Sequence, residues 1–305
     1  MSKRTADAKA AALPDTKAIL LGVACGLGAA LFWALGFVAT RHGLKVGFSP
    51  VDLLMHRFLW SGMVFLPLVL RAGLSDLCGI GWSRGIALMM LGGPVMSLIS
   101  YAGFMFVPLG HGSVIQPSCA TLGGLFLAVV LLREPIPLSR IAGALVIVIG
   151  LAVIGSESIG HMGLSAVMGD LIFVLTGLMF ASFATLVRYW RVSAFSVATV
   201  ISVLSLSLFP LYAASGGLVR DAAIGLSENA LQAIGQGVLA GPAAMYSFTL
   251  SIQLLGVARA AVFPAIVPAL TLLLGWLLIG EAPTTLQAVG LVTVLAGFYL
   301  AQRQS

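Results

Sequence analysis

Apolar residues along this chain fall in long unbroken runs, separated by brief clusters of Gly, Pro, Ser and charge. Strands alternate and surface helices carry a one-sided stripe; runs of this length read as helices that cross a bilayer. A hydrocarbon core of ~30 Å takes about 20 helical residues. Ten runs meet that length, at about residues 18–40, 51–70, 86–107, 112–132, 138–155, 164–187, 193–216, 231–255, 260–279 and 284–301, and they leave no room for a soluble domain. The first run is longer than a signal-peptide core and has no A-x-A site after it, so it reads as an uncleaved first span behind a tail at 1–17.

Composition agrees with the pattern: 60% of residues are apolar and 9% charged, against roughly 45 to 50% and 25% in soluble domains. The net charge of +6 does not indicate nucleic acid, because the basic residues are scattered at the ends of apolar runs. Cys25, Cys78 and Cys119 are odd in number and widely spaced, which supports neither a disulfide framework nor a zinc site.

The chain is also a duplication. A shift of 147 residues, without a gap, lays Pro117 on Pro264, Glu134 on Glu281, Gly143 on Gly290 and Gly150 on Gly297. It also lays Gly22 on Gly169, Ala34 on Ala181, Arg41 on Arg188 and Trp33 on Phe180. Two units follow, 18–155 and 164–302, each with five spans. Five is odd, so the second unit starts on the opposite side of the membrane from the first, and the repeat is inverted. Loop charge orients it. With both termini cytoplasmic, the inner side holds the four basic residues of the tail with Arg71, Arg84, Arg133, Arg140, Arg188, Arg191, Arg259 and Arg303, while the outer side holds only Arg41, Lys45 and Arg220.

Four stretches carry a family resemblance: Phe32-Trp33-Ala34-Leu35-Gly36-Phe37-Val38-Ala39-Thr40 in the first span, His56-Arg57-Phe58-Leu59 in the second, and Leu132-Arg133-Glu134-Pro135 and Ile141-Ala142-Gly143-Ala144 around the fifth. Together with their partial recurrence at Pro264, Glu281 and Gly290, they make the chain resemble the EamA-type branch of the drug/metabolite transporter superfamily. The second half departs at Val203 and Leu204, which replace His56 and Arg57. The resemblance implies an all-α integral membrane protein of ten helices in two inverted five-helix repeats, in a bacterial inner membrane. It implies a central cavity lined by spans one to four and six to nine.

Read for themselves, Pro117 and Pro264 mark equivalent kinks that would free the carbonyls of Ser113 and Ala260, with Pro268 beside the second. Gly22 with Gly26, and the pairs Gly143/Gly150 and Gly290/Gly297, are packing faces; the fifth and tenth spans are expected to lie against their own halves. Glu134 and Glu281 read as helix-start acids that favour the dipole. The acids fall in the tail, loops and helix ends, and His56 is the one histidine well inside a run. Arg57 has three readings: it snorkels outward, pairs with Asp170 or Glu281, or attracts a substrate carboxylate.

Small hydroxyls and aromatics populate the middle of the runs. The candidate cavity wall is Trp33, Phe37, Ser97, Ser100, Tyr101, Gln116, Phe180, Ser182, Tyr246 and Ser247, with His56 and Arg57 as the possible charged site. Such a wall offers ring faces and hydrogen bonds to a neutral or zwitterionic organic molecule. No H-E-x-x-H, paired intramembrane aspartates or serine triad points to an enzyme. The expectation is a carrier that needs no cofactor or metal, whose partners are a small-molecule substrate and the lipid bilayer; a monomer is compatible with it. Amino-acid export, aromatic ones first, is the main reading, and cation efflux or metabolite import the alternative.

Overall fold

The computed structural model describes residues 16–72, 75–133 and 135–302. Glu134, Arg303 and most of the tail lie outside the described residues. Ten helical spans are present: Thr16–Val46, Pro50–Arg71, Trp82–Gly103, Leu109–Val130, Leu138–Met162, Leu164–Tyr189, Ala194–Ala214, Leu226–Leu255, Val262–Ile279 and Thr285–Gln302. Nearly all backbone polar groups are thereby bonded within a segment, as lipid requires. Several spans exceed the apolar run that announces them. The first continues through Arg41 and Lys45, the fifth through Glu157, and the fourth begins at Leu109, so His42 and His111 as well as His56 lie inside spans.

Breaks in the helices have local causes. In the third span Pro94 lacks the N–H that would continue the ladder, and the helix restarts there after Gly93. A Cβ on Gly93 would lie 2.4 Å from the Met89 carbonyl oxygen, so only glycine fits that corner. Pro117 sits well inside the fourth span, but Pro264 does not repeat this. Its helix begins at Val262 after a turn at Ala261, so Pro264 lies in the first turn, where a missing N–H removes no internal bond. The equivalent prolines therefore bend one half and start a helix in the other. Pro268 takes the interior position in the ninth span, and Pro242 lies within a π-helical stretch, Ala233–Ala243, of the eighth.

The two halves interleave. The first span packs on the eighth and ninth, and its repeat image, the sixth, packs on the third and fourth; the second lies against the seventh and the fifth against the tenth. These pairs exchange under the 147-residue shift, as a two-fold axis in the membrane plane demands. The fifth and tenth spans pack chiefly on each other and touch their own halves only lightly, where the expectation was close packing against those halves. Their glycines meet reciprocally: a Cβ on Gly143 would fall 2.6 Å from Gly297 O, and one on Gly297 2.8 Å from Gly143 O. Gly150 and Gly290 make the same exchange at 2.9 and 3.0 Å. With no hydrophobic force between helices in lipid, this backbone contact is what holds the pair. Gly22 faces Leu254 and Leu255, and Gly26 receives the Phe263 ring.

Charge is segregated along the axis. Six of the seven described acids, Asp52, Glu157, Asp170, Asp221, Glu228 and Glu281, cluster at the end where the first span meets the second. A short helix, Gly217–Ile224, caps that end. The opposite end carries Arg71, Arg84, Arg133, Arg140, Arg188, Arg191 and Arg259. We call them the acid-rich and arginine-rich ends.

Candidate functional site

Between the halves, some 10 Å in from the acid-rich end by helical rise, five spans bring polar side chains together. The π-helical stretch and Pro242 interrupt the regular α-helical bonding of the eighth span. Arg57, from the second span, reaches two of its carbonyls, with Nη1 3.5 Å from Gln236 O and Nη2 3.3 Å from Ala240 O. The Gln236 side chain is the hub. It is buried; its Oε1 accepts from the Tyr101 hydroxyl at 3.2 Å, and its Nε2 donates to Gly36 O at 3.2 Å and to the Thr40 hydroxyl. Ser100, next to Tyr101, donates to Gln116 Oε1 of the fourth span at 3.0 Å. One turn outward, Gln232 donates to Ala39 O at 2.9 Å while its own Oε1 is buried without a partner.

Above this cluster the acid-rich end is tied across the halves. Glu281, from the connection between the ninth and tenth spans, binds Arg41 at 3.0 Å and Lys45 at 2.9 Å, and accepts the Leu109 N–H that opens the fourth span. Arg41 also donates to Phe104 O at the end of the third. Burial pushes the Glu281 carboxyl up, but the Leu109 N–H, Lys45 and Arg41 outweigh it and hold the group below the ordinary carboxylate range.

A second tie joins the second span to the seventh. Asp52 accepts from Arg220 at 2.8 Å and from the Tyr212 hydroxyl at 3.0 Å, while its other oxygen caps Ser49. Tyr212 also lies 2.7 Å from Asp221 Oδ2. One hydroxyl has one proton, so it cannot donate to both carboxylates. Burial pushes the Asp221 carboxyl above its ordinary range, against the pull of the Tyr212 hydroxyl.

His56 is satisfied as a neutral ring. Trp60 Nε1 donates to its Nδ1 at 3.3 Å, which leaves Nε2–H to donate to Asn229 Oδ1 at 3.0 Å. The Asn229 amide nitrogen donates to the carbonyls of Asp221 and Gly225, fixing which of its atoms faces the histidine. A third tie is built around the fully buried His111. His111 faces Asp170 Oδ1 at 2.8 Å through Nδ1 and Glu157 Oε2 at 3.4 Å through Nε2. Ser158 donates to Asp170 at 2.6 Å, and Thr284 and Gln287 donate to Glu157 at 3.0 and 3.4 Å. This group joins the fourth, fifth, sixth and tenth spans.

Of the residues expected from sequence, the structure gathers Arg57, Ser100, Tyr101 and Gln116 in the central cluster. Phe37 and Trp33, on the first span, stack edge-on against Phe104 and Phe248 with centroids 6.1 and 5.2 Å apart. Ser97 is buried one turn from Ser100, and Ser247 is half-buried. Ser182 donates to Leu178 O in its own helix. Phe180 and Tyr246 have exposed rings, 43% and 63%, and stand apart from the cluster. Arg57 lies with this cluster, and the two carboxylates considered as its partners, Asp170 and Glu281, are bound elsewhere. Glu281 is no simple helix-start acid either, because its partners come from the first and fourth spans. Sequence reasoning missed Thr40, Gln232 and Gln236, of which the two glutamines, polar and spaced by one turn in an apolar run, were the available signal. It also missed His111, placed just ahead of the fourth span.

The model of the EamA-like transporter family matches residues 20–156 and 167–302, one match per half. An uncharacterized transporter of Archaeoglobus fulgidus is 26% identical over 281 residues, covering 90% of this chain and 95% of that protein. A solved crystal structure that is 19% identical superposes with a TM-score of 0.59, covering 93% of this chain and 96% of its own, and shows a shared fold.

Proposed function

This chain belongs to the EamA-like transporter family, and from that premise we propose that it is a secondary carrier that exports small amino-acid-like metabolites, aromatic ones first, by alternating access. The observation that carries the reading is the central cluster. An inverted repeat sets its site between the halves, and here that place holds Tyr101, Gln236, Thr40, Ser100 and Gln116 with one arginine. Tyr101 puts its ring at the cluster, and Trp33 and Phe37 come from the same first span as Thr40. An aromatic side chain can stack there while its polar end meets side-chain amides, hydroxyls and the carbonyls of the π-helical stretch.

Counterflow tests this directly. Proteoliposomes loaded with unlabelled phenylalanine accumulate labelled phenylalanine transiently, and Tyr101→Ala lowers that uptake at least tenfold, the loss of a ring contact and a buried hydrogen bond worth together about 2 kcal/mol. Movement of a quaternary cation with no amino acid uptake turns the assignment to the efflux alternative.

The same reading sets the protein in an inner membrane with both termini cytoplasmic and the acid-rich end outside. The arginine-rich end supports it through the charge bias of short loops. A cysteine is best placed at Ile159, whose side chain is exposed at the acid-rich end, because neighbouring Ser158 is buried against Asp170. In a variant lacking the native cysteines it reacts with an impermeant thiol reagent in intact cells, and protection until lysis reverses the orientation.

A further inference from the structure

Arg57 is a permanent cation within a membrane span, and among the described residues it pairs with no carboxylate. Each acid that might neutralise it is engaged elsewhere. Asp52 is held by Arg220 and Ser49, Asp221 faces Tyr212 and His56, Glu228 binds His42, Glu281 binds Arg41 and Lys45, and Asp170 and Glu157 enclose His111. Its guanidinium has five N–H donors and uses two of them, in long contacts at 3.3 and 3.5 Å to neutral carbonyls. An intramembrane arginine is costly when left so, and such residues mark substrate or ion paths.

Nor does the fold ask for the charge. The position equivalent to Arg57 under the repeat shift is Leu204, the last residue of the α-helix Ala194–Leu204 before a 3-10 turn at Ser205–Leu208, and the chain runs through it with no charge there. The arginine instead stands where the candidate site is, sharing the Gln236 residue with Tyr101 and lying within electrostatic reach of the Tyr101 hydroxyl. Two long contacts to neutral carbonyls leave three of the five donors unused, and a guanidinium with donors to spare can take two oxygens of one carboxylate in the bidentate manner.

We propose that Arg57 is the anchor for the carboxylate of the transported molecule, so that the carrier takes carboxylic acids, zwitterionic amino acids among them, and rejects the matching amides and amines. This rests on the carrier reading above and deepens it. Because only one half carries the arginine, the substrate is bound in one orientation, with its carboxylate toward the second and eighth spans and its side chain toward the rings of the first and third.

The test uses the purified full-length protein and three probes of one shape: phenylalanine, its amide, and 3-phenylpropionate, which keeps the carboxylate and lacks the ammonium. Ligand-induced thermal stabilisation and competition of phenylalanine counterflow are read for each. In the wild type both carboxylates bind, and the amide binds roughly ten- to a hundredfold more weakly, the ratio expected for a charge-assisted pair. Arg57→Gln brings phenylalanine down to the level of the amide and leaves the amide unchanged, while Arg57→Lys keeps the charge and recovers part of the preference. Equal binding of acid and amide by the wild type overturns the proposal, a result that does not depend on any variant folding. So does an acid preference that survives in Arg57→Gln, or stabilisation by chloride that matches the carboxylates. If the carboxylates bind through Arg57 but no amino acid crosses the liposome, the anchor stands and the amino-acid reading falls.

Discussion

Replacing His111 with leucine lowers the folded stability by about 3 to 5 kcal/mol, the cost of removing one partner from a buried charged group. His111 is completely buried between Asp170 and Glu157, at 2.8 and 3.4 Å. Without the ring, two carboxylates face each other across an apolar gap, and the Ser158, Thr284 and Gln287 donors that remain already serve those oxygens. The loss falls on packing of the fourth and fifth spans against the sixth and tenth, so it weakens the join between the halves. Thermal unfolding in detergent measures it. A cycle with Asp170→Asn isolates the pair: the double variant loses less than the sum of the single losses, by at least 1 kcal/mol if the contact is formed. Additive losses, or a His111→Leu variant as stable as the wild type, would sink the assignment of this cluster as a tie.

Glu281→Gln opens the acid-rich end. Glu281 gathers Arg41, Lys45 and the Leu109 N–H, from the first and fourth spans, onto the connection before the tenth. Removing its charge leaves two cations facing each other, and because the Arg41 and Lys45 side chains are 20% and 42% exposed, losing this part-buried group costs about 1 to 2 kcal/mol, or roughly five- to thirtyfold in the balance between closed and open arrangements. Leu44 lies under this latch, packed between two apolar clusters. In a background lacking the native cysteines, Leu44→Cys reacts with an impermeant thiol reagent much faster when Glu281 is also Gln. Equal rates in both backgrounds would mean that the latch does not govern closure. The pH dependence has a definite sign. Since the Glu281 carboxyl is held below its ordinary value of 4.5, its contribution is complete above that value and fades as pH falls through the depressed one. Closure is therefore flat from neutral pH down to about 5 and loosens only in stronger acid, and the Gln variant shows no such acid limb.

Much of the fold was legible in the chain because lipid makes the rules stringent. A segment that crosses a bilayer must be long, apolar and helical, so ten runs of such length left few other architectures. The duplication at 147 residues, with five spans per copy, implied the inverted pair before any contact was known. What misled was local. The apolar runs stop at Thr40 and Gly155 and start again at Gly112, but the helices extend beyond these points because polar side chains find partners, as Arg41, Lys45, Glu157 and His111 do. The equivalence of Pro117 and Pro264 was likewise read as two kinks, and a proline's effect depends on whether the helix has already begun.

The candidate site was half legible, through Arg57, Ser100, Tyr101 and Gln116. Gln236 stayed hidden because its role depends on the π-helical stretch and on Tyr101, 135 residues away. Periodicity and composition report which residues can be buried in lipid, a property each segment has alone, and so they determined the span count, the repeat and the charge bias between the ends. Only the tertiary structure decided that the fifth and tenth spans face each other, that the acids pair with Arg41, Lys45, Arg220 and His111, and that Arg57 is left over. Pairing is a competition among all the charged groups within a few ångströms. Its outcome depends on distances between segments that no single stretch of the chain contains.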